Sequence, residues 1–191
     1  MSVDRRHETL VDSVEVSRGK LLTIRRDTVL GIDGGEHVRE VVAHPGGVAI
    51  VPLTADGRVV LIRQYRHAVG EVLWEIPAGT LDRLDGGGVE DPDEASRREL
   101  GEEIGHRAGQ WLKLGMFYTT PGFTNEAMHL YLARDLTPIE GYEGPEPDED
   151  LVPEMVPVNE ALELADSGQI RDGKTLVGLF WLSRWLATNG G

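Results

Sequence analysis

Three carboxylates near the middle of the chain have the types and spacing to bind a metal ion. Glu99, Glu102 and Glu103 are spaced i, i+3 and i+4, so a helix would place them on one face. Like charges at i and i+4 destabilise an isolated helix by roughly 0.3 kcal/mol, and Gly101 adds up to about 1 kcal/mol. A divalent cation shared by the carboxylates would offset both penalties; a solvated acidic face is the alternative.

Mg²⁺ suits such a set, because it takes oxygen ligands and is commonly shared with substrate phosphates. The chain also contains 16 Arg but only 3 Lys, and the guanidinium fork matches the geometry of phosphate oxygens. These features suit a metal ion that is shared with a phosphate group.

The helix that carries the three glutamates is predicted to begin after Asp91 and to stop at Gly105. Pro92 suits the first turn of a helix, and acids there suit its dipole. A glycine is typical of the residue that follows a helix. A glycine-rich loop at 85–88 precedes this helix.

Short apolar runs predict β-strands on both sides of this helix. Strands in the first 45 residues are broken by a turn at 31–35, and 48–53 with 59–62 are predicted to form a hairpin. Further strands are expected at 73–76, 111–119, 128–133 and 155–158, and further helices at 159–166 and 175–187. This predicts an α+β or α/β/α fold, with residues 1–45 as an amino-terminal β extension and 46–191 as the main domain.

The net charge of −14 over 191 residues is concentrated in one region. Eleven acids lie from Asp135 to Asp166, and no Lys or Arg occurs between Arg134 and Arg171. A duplex nucleic acid needs a basic face, so no nucleic-acid partner is expected. The acidic stretch is interpreted as a solvated loop or, in part, as a helper in cation binding.

Composition also bears on where the protein works. Cys is absent, which excludes disulfides, thiolate zinc sites and a cysteine nucleophile. No apolar run approaches the roughly 18 residues that cross a bilayer, so no membrane partner is expected. The first ten residues carry charges where a signal peptide needs an apolar core, and a cytoplasmic location is therefore expected.

The glutamate helix resembles the Nudix box, G-x5-E-x7-R-E-U-x-E-E-x-G-U, in which U is apolar. The residues that match it are Glu90, Arg98, Glu99, Leu100, Glu102, Glu103 and Gly105. Two departures occur: five extra residues separate Gly79 from Glu90, and His106 occupies the last apolar position.

Flanking motifs are similar to those of the ADP-ribose pyrophosphatase branch of the Nudix superfamily. They are RQYR at 63–66, WEIPAG at 74–79 and PGFTNE at 121–126. The resemblance implies an α/β/α Nudix sandwich and a homodimer whose amino-terminal strands reach the partner. It also implies hydrolysis of a nucleoside diphosphate sugar, ADP-ribose, to AMP and ribose 5-phosphate, with Mg²⁺ as cofactor or Mn²⁺ in its place.

The resemblance also implies roles for individual residues. Glu99 and Glu103 would be the principal catalytic metal ligands, completed by Glu102 and the backbone carbonyl of Ala78. Glu90 would be a supporting residue, as would Arg98, which is well placed to order the carboxylates by charge-assisted hydrogen bonds.

Substrate contacts are expected from residues outside the box. Arg66, and after it Arg63, would grip a phosphate oxygen, the alternative being a surface charge. Glu75 and Glu126 would bind the ribose or a metal-bound water, or be plain surface acids. Phe123 would contact the substrate or pack in the core.

The general base is expected in the acidic loop at 146–150, because a glutamate from such a loop serves in the resembled branch. Glu149 is favoured there, Glu146 and Asp148 are alternatives, and Glu126 is the next candidate. Substrate alternatives are GDP-mannose and flavin or dinucleoside pyrophosphates, and a non-catalytic nucleotide sensor is a further reading.

Overall fold

The computed structural model describes residues 7–145 and 151–189. The chain divides into two compact units, Met1–Gly46 with Tyr118–Ala127, and Gly47–Phe117 with Met128–Gly191. Over the two described ranges, no helix is both long and apolar enough to cross a lipid bilayer.

The first unit is built on an antiparallel sheet of β1 (Thr9–Arg18), β2 (Thr23–Leu30) and β3 (Glu36–Ala43), in that order. The predicted turn at 31–35 joins β2 to β3, where the Gly31 N–H donates to the Gly35 carbonyl at 2.9 Å. After β3, the chain meets the later segment of the unit: the Val42 N–H donates to the Phe123 carbonyl at 2.8 Å.

The second unit contains two sheets, and the one that positions the glutamate helix has mixed pairing. Its order is β7 (Ala78–Thr80), β4 (Gly47–Pro52), β9 (Ala127–Pro138) and β8 (His106–Tyr118). β4 is antiparallel to β7 and parallel to β9. The other sheet has the order β10 (Leu151–Pro157), β5 (Arg58–Arg66) and β6 (Glu71–Glu75).

Helices cover both faces of β4. Alternate residues of this strand point to opposite sides and pack against different helices. Val48 and Ile50 pack in one core with Leu100 of helix α1 (Pro92–Ile104). Ala49 and Val51 pack in a second core with Leu179 of α3 (Gly173–Asn189). Helix α2 (Val158–Asp166) contributes to that second core as well. The predicted α/β/α arrangement is therefore confirmed.

The predicted hairpin of 48–53 with 59–62 is wrong. The chain does reverse there, with the Thr54 N–H donating to the Arg58 carbonyl at 2.8 Å and a single bridge between Leu53 and Val59. Beyond that bridge β4 and β5 enter different sheets. β4 is buried throughout and β5 is buried at 59–62. β4 pairs with β7 and β9, and β5 pairs with β6 and β10.

Candidate active site

Helix α1 has the ends that its sequence predicts. Asp91 is the N-cap, and its carboxylate accepts hydrogen bonds from the backbone N–H groups of Asp93 at 2.8 Å and Glu94 at 3.4 Å. Gly105 ends the helix at φ 64°, a left-handed conformation that glycine adopts without strain. Leu100 and Ile104 anchor the helix in the core, which fixes the direction of the glutamate face.

Two of the three glutamates are buried against β7. Glu103 is 2% exposed, and its Oε2 accepts a hydrogen bond from the Ala78 N–H at 3.0 Å. Glu99 is 7% exposed, and its Oε1 lies 1.8 Å from the position that a Cβ at residue 79 would occupy. The glycine of the 74–79 motif therefore makes room for a carboxylate.

Arg98 connects three carboxylates. Its Nε and Nη2 donate to Glu90 at 3.1 and 2.8 Å, and its Nη1 donates to Glu99 at 2.7 Å and to Glu102 at 2.8 Å. The hydrogen bonds from Arg98 hold the pKa of Glu90 below its ordinary value. Those with Glu90 raise the pKa of Arg98, so the guanidinium stays charged.

The five extra residues before Glu90 form a loop of their own. Arg83 and Val89 form an antiparallel bridge, and Gly86, Gly87 and Gly88 turn the chain with φ values of 94–97°. The Glu90 N–H donates to the Asp82 carbonyl at 2.8 Å at the base of this loop. The insertion therefore leaves the ion pair of Glu90 with Arg98 in place.

The acids of this helix offer the chemistry that a hard divalent cation prefers. Glu99, Glu102 and Glu103 provide oxygen atoms only, and the first two share the single guanidinium of Arg98. Among residues 7–145 and 151–189, no three acidic or histidine side chains are arranged as a ready-made metal site. The chemistry of the donor set therefore fits a hard divalent cation.

A second cluster joins two residues that were predicted separately to bind substrate. Glu75 is fully buried and accepts hydrogen bonds from Arg66 Nε at 2.8 Å and Arg66 Nη2 at 2.7 Å, and from Lys174 Nζ. Burial raises the pKa of Glu75, but the hydrogen bonds and charges of Arg66 and Lys174 outweigh it and lower that pKa. The hydrogen bond with Glu75 raises the pKa of Arg66, and the negative charge of Glu103 contributes to this shift. The cluster therefore lies within electrostatic range of the glutamate helix.

The other predicted site residues have contacts of their own or lie outside the described residues. Arg63 lies over the Trp74 ring, 5.2 Å from its centre. Phe123 and Glu126 belong to the first unit, where Phe123 is exposed and Glu126 accepts a hydrogen bond from Thr119 Oγ1 at 2.5 Å. Glu149 and its alternatives Glu146 and Asp148 lie outside the described residues.

The sequence did not single out the residues at the start of α3. Asp172 Oδ2 accepts hydrogen bonds from the backbone N–H of Thr175 at 2.9 Å and from its hydroxyl at 2.6 Å. The Thr175 Oγ1 in turn accepts the Ile76 N–H at 2.8 Å. An Asp three residues before a Thr is a cap signal, but only the fold shows that Lys174 reaches Glu75.

Comparisons with known proteins show which family this chain belongs to. Residues 43–176 match the family described as the NUDIX domain. An ADP-ribose pyrophosphatase of Bacillus subtilis (strain 168) is 34% identical over 177 residues, 92% of each chain. One of Mycobacterium tuberculosis is 36% identical over 88% of this chain and 80% of its own.

The chain is also similar to a pyrophosphatase named for another substrate and to a solved structure. A GDP-mannose pyrophosphatase of Salmonella arizonae is 36% identical over 76% of this chain and 78% of its own. A solved structure described as an ADP compounds hydrolase superposes with a TM-score of 0.82 at 26% identity, covering 99% of both chains.

Proposed function

This chain belongs to the Nudix family, and on that premise we propose that it hydrolyses the pyrophosphate bond of ADP-ribose with Mg²⁺ bound. The products are AMP and ribose 5-phosphate. The observation that carries the proposal is the burial of Glu99 and Glu103 against β7. Burying carboxylates costs free energy unless they are paired, and a pyrophosphatase uses such carboxylate oxygens as ligands for a cation. Similarity to two ADP-ribose pyrophosphatases supports this substrate.

The residues that would hold Mg²⁺ are Glu99, Glu102, Glu103 and the backbone carbonyl of Ala78. When bound, Mg²⁺ neutralises phosphate charge and lowers the pKa of a water molecule. Arg98 orients Glu99 and Glu102 through the two hydrogen bonds from its Nη1. Glu90 fixes Arg98 from its other edge.

Substrate is held by residues outside the helix. Arg66 binds a phosphate oxygen, since its side chain is 40% exposed while one edge holds Glu75. Arg63 is a second phosphate ligand, and Phe123 and Glu126 contact the rest of the substrate. Glu149 orients the attacking water and takes its proton, a step for which a weak base suffices.

We also propose a homodimer, supported by the exposed apolar side chains of the amino-terminal sheet, among them Val14, Val16 and Val38. A cytoplasmic location is proposed with it, consistent with a chain that has no Cys.

The test is a panel of nucleoside diphosphate sugars and dinucleotides, with and without Mg²⁺, and with products resolved by chromatography. ADP-ribose is expected to give the highest kcat/KM. Glu103→Gln is expected to lose about 10³-fold in kcat, while Glu94→Gln, an exposed glutamate on the same helix, retains full rate. Faster release of GMP from GDP-mannose, the substrate named for one relative, would replace ADP-ribose in the proposal. Full activity without a divalent cation would refute it.

A further inference from the structure

We propose that Lys174 is a positioning residue, which acts through Glu75 to keep the Arg66 guanidinium in place and effectively cationic for a substrate phosphate. This inference rests on the proposed function, because it takes Arg66 as the phosphate ligand. It assigns a role to the start of α3, which is 99 positions from Glu75 in sequence.

In this cluster the buried carboxylate of Glu75 pairs with two cations. Arg66 Nε donates to Glu75 Oε1 at 2.8 Å, and Arg66 Nη2 donates to Oε2 at 2.7 Å. Lys174 Nζ donates to the same Oε2. Because Glu75 is fully buried, its charge must be met within the protein, and these two residues meet it.

Lys174 is fixed in place, unlike a solvated surface lysine. Its side chain is only 12% exposed, and its Nζ is also 3.0 Å from Asp172 Oδ1. The other oxygen of Asp172 holds the first turn of α3 through Thr175. Thr175 in turn holds the Ile76 N–H, next to Glu75. The position of Lys174 relative to β6 is therefore set by hydrogen bonds on both sides.

The order of the charges explains why a second cation is useful. An isolated Arg–Glu fork has no net charge, so its attraction for a phosphate is weak. Asp172 pairs with Lys174, so the charges of Arg66, Lys174, Glu75 and Asp172 cancel, whereas the group without Lys174 would carry one net negative charge and repel a phosphate. Arg66 is the most exposed member, so an anion that approaches from solvent meets the guanidinium first.

Loss of Lys174 should therefore affect substrate binding more than turnover. In Lys174→Met, Glu75 is left with Arg66 alone, and we expect KM for ADP-ribose to rise about 10-fold while kcat stays within about 3-fold. Lys174→Arg should restore most of the lost affinity, since it returns the charge. Arg171→Met is the matched control, because Arg171 is a nearby cation whose partner, Glu71, is at the surface.

A double-mutant cycle shows whether Lys174 acts through Glu75. In a Glu75→Gln background, Lys174→Met should raise KM no further, because the carboxylate that connects Lys174 to Arg66 has been neutralised. The double variant removes the buried charges of both Glu75 and Lys174, so its KM can still be measured if Lys174→Met alone is unstable. An equal rise of KM in both backgrounds would overturn the role of Glu75.

Binding of inorganic pyrophosphate with Mg²⁺, measured by calorimetry, separates this inference from the proposed function. A Kd about 10-fold weaker in Lys174→Met supports the positioning role even if the wild type does not hydrolyse ADP-ribose. If ADP-ribose is hydrolysed but the KM and the pyrophosphate Kd of folded Lys174→Met equal those of the wild type, the inference is wrong while the proposed function stands.

Discussion

The Glu99 carboxylate fills the space that a side chain at residue 79 would need. A methyl carbon at Gly79 would lie 1.8 Å from Glu99 Oε1 and 1.9 Å from its Cδ, far inside the roughly 3.5 Å of van der Waals contact. The glycine is therefore required for the close approach of β7 to α1. The same approach brings the Ala78 N–H to Glu103.

Gly79→Ala should displace Glu99 while the fold survives. We expect kcat for ADP-ribose hydrolysis to fall about 10²-fold, because a shift of about 1 Å in a positioning group has an effect of that size. Rates at saturating Mg²⁺ and circular dichroism provide the measurement. Gly19→Ala is the control, since its added methyl would touch only the Leu22 carbonyl at 3.6 Å. A full rate in Gly79→Ala would mean that Glu99 is not needed where it lies.

Arg98→Lys should weaken the use of Mg²⁺. Lysine is a point charge and cannot bind Glu90, Glu99 and Glu102 with separate N–H groups as the guanidinium does. The Mg²⁺ concentration for half-maximal rate is expected to rise 10-fold or more. Arg97→Lys is the control, because the neighbouring Arg97 lies over the Trp111 ring. Identical Mg²⁺ titrations for wild type and Arg98→Lys would contradict the role of Arg98.

Tyr131 should make stability depend on pH in the alkaline range. Its hydroxyl donates to Asp93 Oδ1 at 2.5 Å, and burial, followed by this hydrogen bond, raises the pKa of Tyr131. In the unfolded chain the pKa is roughly 10, so above that pH the unfolded state releases a proton that the folded state keeps. The contribution to stability is therefore complete below about pH 10 and is lost as the pH rises further.

Tyr131→Phe should lower the free energy of unfolding at neutral pH by about 1 kcal/mol, the net value of a typical hydrogen bond. It should also make the decline of stability above about pH 10 shallower. Urea unfolding at a series of pH values tests both effects, with Tyr118→Phe as a control at an exposed tyrosine. Curves for Tyr131→Phe that run parallel to those of wild type would count against the titration.

Local signals in the sequence were sufficient for helix α1. The cap at Asp91 and the glycine at Gly105 are determined by neighbouring residues, so its ends could be predicted. The common face of Glu99 and Glu103 follows from helical periodicity alone. Strand partners are a different matter, because the turn after β4 shows that the chain reverses but not which sheet β5 joins.

The ion pairs of the second cluster depend on long-range contacts, which local sequence patterns do not predict. Arg66 and Glu75 were each predicted to bind substrate, but their mutual pairing depends on the pairing of β5 with β6, which sets Arg66 opposite Glu71 and Glu75 opposite Ile62, so that the Arg66 side chain must extend along the strands to reach Glu75. Lys174 reaches Glu75 only because α3 packs on β6. No local pattern encodes such a contact between residues 99 positions apart.

The amino-terminal sheet exposes many apolar side chains to solvent. All ten residues of β1 are exposed, Leu10, Val11, Val14 and Val16 among them. Val38 of β3 is exposed too. An exposed strand edge and many exposed apolar side chains are both unfavourable in a monomer. A second copy of the chain would cover them, which is the basis of the proposed dimer.

The full chain is therefore expected to be a homodimer of about 42 kDa by light scattering, twice the 21.0 kDa of one chain. A truncation that starts at Gly46 should be monomeric, but it also removes the partner of the Phe123 carbonyl.

For that reason the full-length variant Val14→Glu/Val16→Glu is the sharper test. It introduces four new charges into the dimer, where they would repel one another or lose their hydration, while in the monomer β1 stays exposed. Val69→Glu, at an exposed valine of the second unit, should remain dimeric. A wild-type monomer, or a truncated chain that still dimerises, would exclude the amino-terminal sheet as the interface.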